Sequence, residues 1–195
     1  MANTDRAAGL KPVKHLTGAS WSGKANVYFV PATDAVAIYI GDAVKSAGSA
    51  DATGKYPTVA RAAAGNAIRG VVIGFGETPQ IMVNPTNPDR THRGASTAMY
   101  LMVVDDPSVI FEVQEDSDGA ALTATSVGLS VDLVAGAGNA VTGKSGMELD
   151  SSSAVATAAT CKLLRAVNRE DNELGNQCKW EVLIVEHEMN LATGV

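Results

Sequence analysis

Apolar and polar residues in this chain alternate with a period of two or gather in short apolar runs, and no stretch sustains the 3.6-residue period of an amphipathic helix. The pattern predicts strands. Its clearest stretch is residues 99–118. Met99-Tyr-Leu-Met-Val-Val104 is a continuous apolar run of the length that suits a strand buried on both faces. Asp105-Asp-Pro-Ser108 supplies turn chemistry, because Asp side chains bond nearby backbone and Pro107 fixes φ. Val109, Phe111 and Val113 then alternate with Ile110, Glu112 and Gln114, which is the period of a strand with one dry face. Met99–Val104 and Val109–Glu115 are therefore expected to pair as a central hairpin.

The same signals place further strands at 26–30, 36–40, 43–45, 56–60, 68–75, 81–83, 131–134 and 147–150. Pro57 marks an edge or a strand start. Residues 162–167 and 179–187 form a closing hairpin around a charged loop. Gly, Ser and Ala make 46–55 a surface loop and Gly136–Gly146 a glycine-rich one, while 119–128 offers room for one helical turn. The expected fold is mainly β, with many short antiparallel strands in a barrel- or sandwich-like unit with long loops. Gly9, Pro12, Gly18 and Gly23 break any period in residues 1–25, which read as an extended N-terminal arm with Trp21 as its one large anchor. Residues 26–195 make the β-rich body, either as one unit or with a sub-boundary near 95.

Composition agrees with this picture. Apolar residues are 46% of the chain and charged residues 18%, too apolar for a disordered chain, and aromatics are only 5%. The net charge of −6 argues against a general nucleic-acid binder. No run reaches the length of a membrane span, and Met1-Ala-Asn-Thr-Asp-Arg lacks the apolar segment of an export signal. Charge is unevenly placed. Residues 1–25 carry Arg6, Lys11, Lys14 and Lys24 against Asp5 alone, and residues 105–118 carry six acids and no base. The asymmetry suits a basic arm steered onto an acidic neighbour, and equally a soluble tail beside a solvated face. In the closing hairpin, pairing Val167 with Lys179 sets Cys161 opposite Val185 and Cys178 opposite Asn168, too far apart for a disulfide. Two reduced thiols fit a cytosolic setting.

One motif looks enzymatic. Gly138-Asn-Ala-Val-Thr-Gly143-Lys144-Ser145 satisfies the phosphate-loop pattern, in which backbone N–H groups cradle phosphates, Lys reaches the outer ones and the hydroxyl holds magnesium. Its context is wrong. Such a loop opens a long helix, yet Gly146 follows at once and Met147-Glu-Leu-Asp-Ser-Ser-Ser carries no helical stripe. Asp116-Ser-Asp118-Gly119 starts like a calcium loop but lacks the later ligands, so with Glu115 nearby it supports an adventitious divalent ion at most. His15, His92 and His187 stand apart in sequence with no nucleophile elbow. No catalytic residue, metal or cofactor is expected.

Several segments resemble a known family. Val30-Pro-Ala-Thr-Asp-Ala, Tyr39-Ile-Gly-Asp-Ala-Val, Pro57-Thr-Val and Ala64-Gly-Asn-Ala-Ile-Arg-Gly-Val-Val-Ile-Gly-Phe resemble the small β proteins that decorate tailed-phage heads, the capsid cement or decoration proteins. Val109-Ile-Phe-Glu-Val-Gln-Glu-Asp and Ser145-Gly-Met-Glu-Leu-Asp-Ser-Ser are similar to segments of structural phage virion proteins. The resemblance spans about two-thirds of the chain and rests on turn and strand patterns. It implies a non-enzymatic protein on the outer surface of the virion capsid, assembled in the host cytoplasm. Such a protein is present in many copies, often as a trimer, and bridges major capsid protein subunits. A tail or baseplate part is the first alternative, and a P-loop nucleotide-binding enzyme using Gly138–Ser145 the second. The arm is then the expected partner contact, through Arg6, Lys11, Pro12, Lys14 and Trp21, ordering when it adds hydrogen bonds to a strand edge.

Overall fold

The computed structural model describes residues 3–80 and 91–190, so the strand expected at 81–83 lies outside the described residues. The fold is mainly β. Its strands in chain order are β1 (Lys11–His15), β2 (Asn26–Val30), β3 (Ala43–Ala50), β4 (Pro57–Arg61), β5 (Gly70–Gly76), β6 (Met99–Val104), β7 (Val109–Gln114), β8 (Ser130–Val131), β9 (Leu133–Asn139), β10 (Lys144–Leu149), β11 (Cys161–Ala166) and β12 (Lys179–Ile184). Single 3-10 turns at Ala124–Ser126, Ser151–Ser153 and Glu188–Asn190 are the helical content of the described residues.

Two β lobes share a wall. Strands β2-β4-β3-β5-β6 close into a barrel, and β1-β7-β12-β11-β8 form an antiparallel sheet, with β9 and β10 as a separate two-stranded piece. The barrel is filled by residues such as Tyr28, Ile38, Val72, Phe75, Leu101 and Val103. A second core lies between the sheet, the β9–β10 hairpin and the barrel wall, with Phe111, Leu149, Leu163 and the fully buried Trp180 among its members. Successive strand residues point to opposite faces. Val72 and Val103 therefore fill the barrel while their neighbours Val71 and Val104 fill the second core. Here lies the reason for the unbroken apolar run of β6.

The expected central hairpin is corrected. Strands β6 and β7 both exist, but they do not pair with each other. Strand β6 lies between β2 and β5, and β7 between β1 and β12. Asp105–Ser108 is a turn between lobes, closed by Val109 N–H to Asp106 O at 3.1 Å. The chain passes from barrel to sheet there, whereas residues near 95 sit in a loop of the barrel half. Period-two patterning sets which face a strand buries and leaves its lateral neighbours open, hence the misassigned partner.

Four smaller expectations change as well. Val36–Ile40 is not a strand; Ile38 drops alone into the barrel core and makes a single bridge to Arg93. Residues 46–50 prolong β3, pairing with β4 across an irregularity between Ser46 and Ala50. Gly136–Gly146 is the β9–β10 hairpin, where Gly136 and Gly146 face each other at a spacing no side chain would permit. In the closing hairpin β11–β12, Val167 N–H does bond Lys179 O at 2.9 Å. A bulge between Leu163 and Arg165 then shifts the register, and Cys161 faces Ile184 instead of Val185. Both cysteines are free and buried.

The sheet edges are largely taken up. Residues 19–21 fold back on β1 (His15 N–H to Ala19 O, 2.8 Å), and Val155 bonds Ser130 of β8 in both directions at 2.9 Å. Arg61 donates to the carbonyls of Ala135 and Gly136 on β9, and Ile40 lies along the start of β10.

Candidate interaction surface

The arm is not loose. Asn3 donates to the carbonyls of Glu173 and Asn176 at 2.7 and 2.9 Å and accepts the Glu173 N–H at 2.9 Å. Gln114 accepts the Arg6 N–H at 3.2 Å and donates to the Asp5 carboxylate at 3.3 Å. Leu10, 1% exposed, sits in the second core and donates its N–H to Gly41 O in the barrel half at 2.9 Å. Strand β1 then lies antiparallel on β7, with Lys11 opposite Glu112 and Pro12 opposite Phe111. The strand-edge addition expected with a partner is made within the chain.

The five expected contact residues therefore separate. Lys14 Nζ is 2.7 Å from Glu181, which also takes Arg165 at 2.9 Å. Burial works against ionisation of Glu181, but the two cations prevail and hold its carboxyl below the ordinary value. Trp21 packs against the second core and donates its indole N–H to Lys24 O at 3.3 Å. Pro12 flanks the irregularity in the β1–β7 ladder. Of the five, only Arg6 and Lys11 face solvent without an ion pair to a described residue. Beside them the structure brings Lys179, the first residue of β12. No sequence signal joined Lys179 to the arm, since their meeting depends on β12 lying next to β7. Val13 at 36% and Leu16 at 58% exposure add apolar surface to the arm's outer side.

The phosphate-loop pattern dissolves into a hairpin. Lys144 opens β10 and is exposed, with no helix behind it to aim N–H groups at an anion. Ser145 is 1% exposed and gives its hydroxyl to Asp42 at 2.6 Å. Asp42, itself fully buried, also binds Arg61 Nε at 3.0 Å, so the serine fastens the hairpin to the barrel. The pattern's glycines are packing residues. A Cβ on Gly138 would enter the ring of Tyr39, and Gly143 adopts φ +70° against Thr91.

Asp116 and Asp118 are joined by Asp150, from the end of β10, with carboxylate oxygens within 4.8 Å of one another. These three are the described residues that could hold a cation. Yet Asp116 already accepts N–H groups from Asp118 and Ser151, and Asp150 caps Ser152. Glu115 is turned inward, fully buried, with its carboxylate on Leu122 N–H at 2.8 Å. Burial raises its pKa. Glu148 on β10 is pushed up to about 7, first by burial and then by the charges of Asp5 and Asp116. His15 and His187 both lie within electrostatic reach of Asp106, while His92 stands elsewhere. His15 lies 3.3 Å from Asp106, His92 stacks on Tyr39 with centroids 4.6 Å apart, and His187 is buried near Arg69. Burial pushes both thiols up, Cys178 to about 11.

Comparison with protein-family models, with curated proteins and with solved structures finds no match for the chain.

Proposed function

We propose that this chain is a non-enzymatic structural protein of a tailed-phage virion, a capsid decoration protein that binds the outer surface of the head and bridges major capsid protein subunits. It acts as a homo-oligomer, with a trimer favoured. The observation that carries the reading is the way the arm is built in. Asn3, Leu10 and β1 bolt residues 3–15 across the sheet and onto the barrel half, while Arg6 and Lys11 remain outside. Such a body suits a clamp. It offers a rigid surface whose contacts need little ordering when they form, and many weak copies act together on one shell. The segments that resemble cement proteins add to this, since they fall on β2, β3, β4, β5, β7 and β10 or on the turns beside them.

The test is sedimentation with undecorated heads. Wild-type protein should pellet with heads and raise their resistance to heat. The variant Arg6→Glu/Lys11→Glu should bind roughly tenfold more weakly, because the two reversed charges lie at a contact rim. Point reversals are the proper perturbation, since deleting residues 1–16 removes Leu10 and β1 and so damages the body. Failure to bind any head, with recovery in tail fractions, would reject the decoration role in favour of a tail or baseplate part.

A further inference from the structure

Beside β1, two hollows of about 190 Å³ and 50 Å³ adjoin, and Arg6 and Lys179 line both. Together they make one trough, which Lys11 extends. Among the described residues none of these three cations makes an ion pair. The acids in the wall, Glu112 and Asp171, are both held by Arg169, at 3.1 and 2.7 Å. Asp5 is turned onto the Gln114 amide. The trough therefore presents unspent positive charge on a chain whose net charge is −6. The backbone under two of these cations is also held in place. The backbone of Lys179 is clamped by Asn172, which accepts its N–H at 2.8 Å and donates to its carbonyl at 3.0 Å, and the Arg6 N–H is fixed on Gln114. Binding then has side chains, not backbone, left to order.

We infer that this trough docks an acidic peptide segment of a protein partner, its carboxylates meeting Arg6, Lys11 and Lys179. Charge complementarity selects an anion, and the shape selects a chain over a single small ion. Arg6 and Lys179 stand where the two hollows join, and Lys11 lies along the smaller one, so the charge follows the trough rather than one closed pocket. An extended segment projects alternate side chains to one side, so its carboxylates can meet the junction and Lys11 in turn. The partner's identity as a shell subunit rests on the function proposed above; the trough's chemistry does not.

The probe is a fluorescent hexaglutamate peptide, titrated against the full chain in low salt, with hexalysine as control. Saturable binding that weakens with salt is expected, with a loss of at least about tenfold in Arg6→Glu/Lys179→Glu. Lys162→Glu removes an exposed cation outside the trough and should leave affinity within about twofold. An equal loss in that variant, or no saturable binding, overturns the inference. Competition by inorganic phosphate beyond an equal ionic strength of chloride would assign the trough to a small anion instead. A salt-labile dimer in sedimentation equilibrium, broken by hexaglutamate, would give it to a second copy. Protein that binds heads but not hexaglutamate would sink the inference alone, whereas binding to hexaglutamate but not to heads would sink the virion role alone.

Discussion

Replacing Glu148 with Gln should stabilise the protein at pH 8 and leave it nearly unchanged at pH 4.5. Glu148 Oε1 is buried without a hydrogen-bond partner, and burial together with Asp5 and Asp116 lifts its pKa from 4.5 to about 7. An acid with a raised folded pKa holds its proton more tightly in the folded state. Its contribution is fully present below the unfolded value and is lost as pH rises through the folded one. A displacement from 4.5 to about 7 corresponds to at most about 3.4 kcal/mol at 1.36 kcal/mol per unit. Solvent around the partly exposed side chain screens part of that, leaving about 1–2 kcal/mol. Gln keeps the shape and carries no charge. The gap between variant and wild type should therefore open between pH 4.5 and 7 and stay constant above. Urea unfolding at pH 4.5, 6 and 8 measures it, and at pH 8 the melting temperature should rise by about 2–8 °C. Comparing the two proteins at each pH cancels the other titrating groups, Glu115 included. A gap that is the same at pH 4.5 and 8, or a variant less stable at pH 8, would refute the electrostatic account of this site.

Two further outcomes follow from packing. Leu10→Ala should cost about 2–5 kcal/mol by urea unfolding, since it empties a buried site in the second core, and a cost below about 1 kcal/mol would mean the arm is not built into the body. Ser145→Ala should cost about 1–3 kcal/mol by leaving the buried Asp42 short of a donor, whereas Lys144→Ala should change stability by less than about 0.5 kcal/mol. Titration with a fluorescent nucleotide and magnesium should show no saturable binding; binding lost in Lys144→Ala would restore the phosphate-loop reading.

Most strands were legible because their faces were. The apolar run at 99–104, the alternation from 109 and the segments expected at 26–30, 56–60, 162–167 and 179–187, each within a few residues of an observed strand, carry a burial requirement that residue type records. Partners left no such record. The turn residues Asp105–Ser108 look the same whether they close a hairpin or carry the chain from one lobe to the other. Glycine hid the facing ends of β9 and β10, beyond the expected 131–134 and 147–150, for a related reason: the close approach of Gly136 to Gly146 demands absent side chains, and that absence reads as a loop. The candidate surface was half visible. Arg6 and Lys11 stood out as unbalanced charge, but Lys14 shares Glu181 with Arg165, and Lys179 joins them only through strand order.

The covered strand edges bear on life at high concentration. A protein crowded against many copies of itself risks joining them through backbone hydrogen bonds, the route to fibrous aggregates. Here the fold-back at residues 19–21, the Val155 bridge and the Arg61 guanidinium occupy groups that such growth would need. Copies can then be packed densely while their association is left to side chains, whose contacts salt and charge can dissolve.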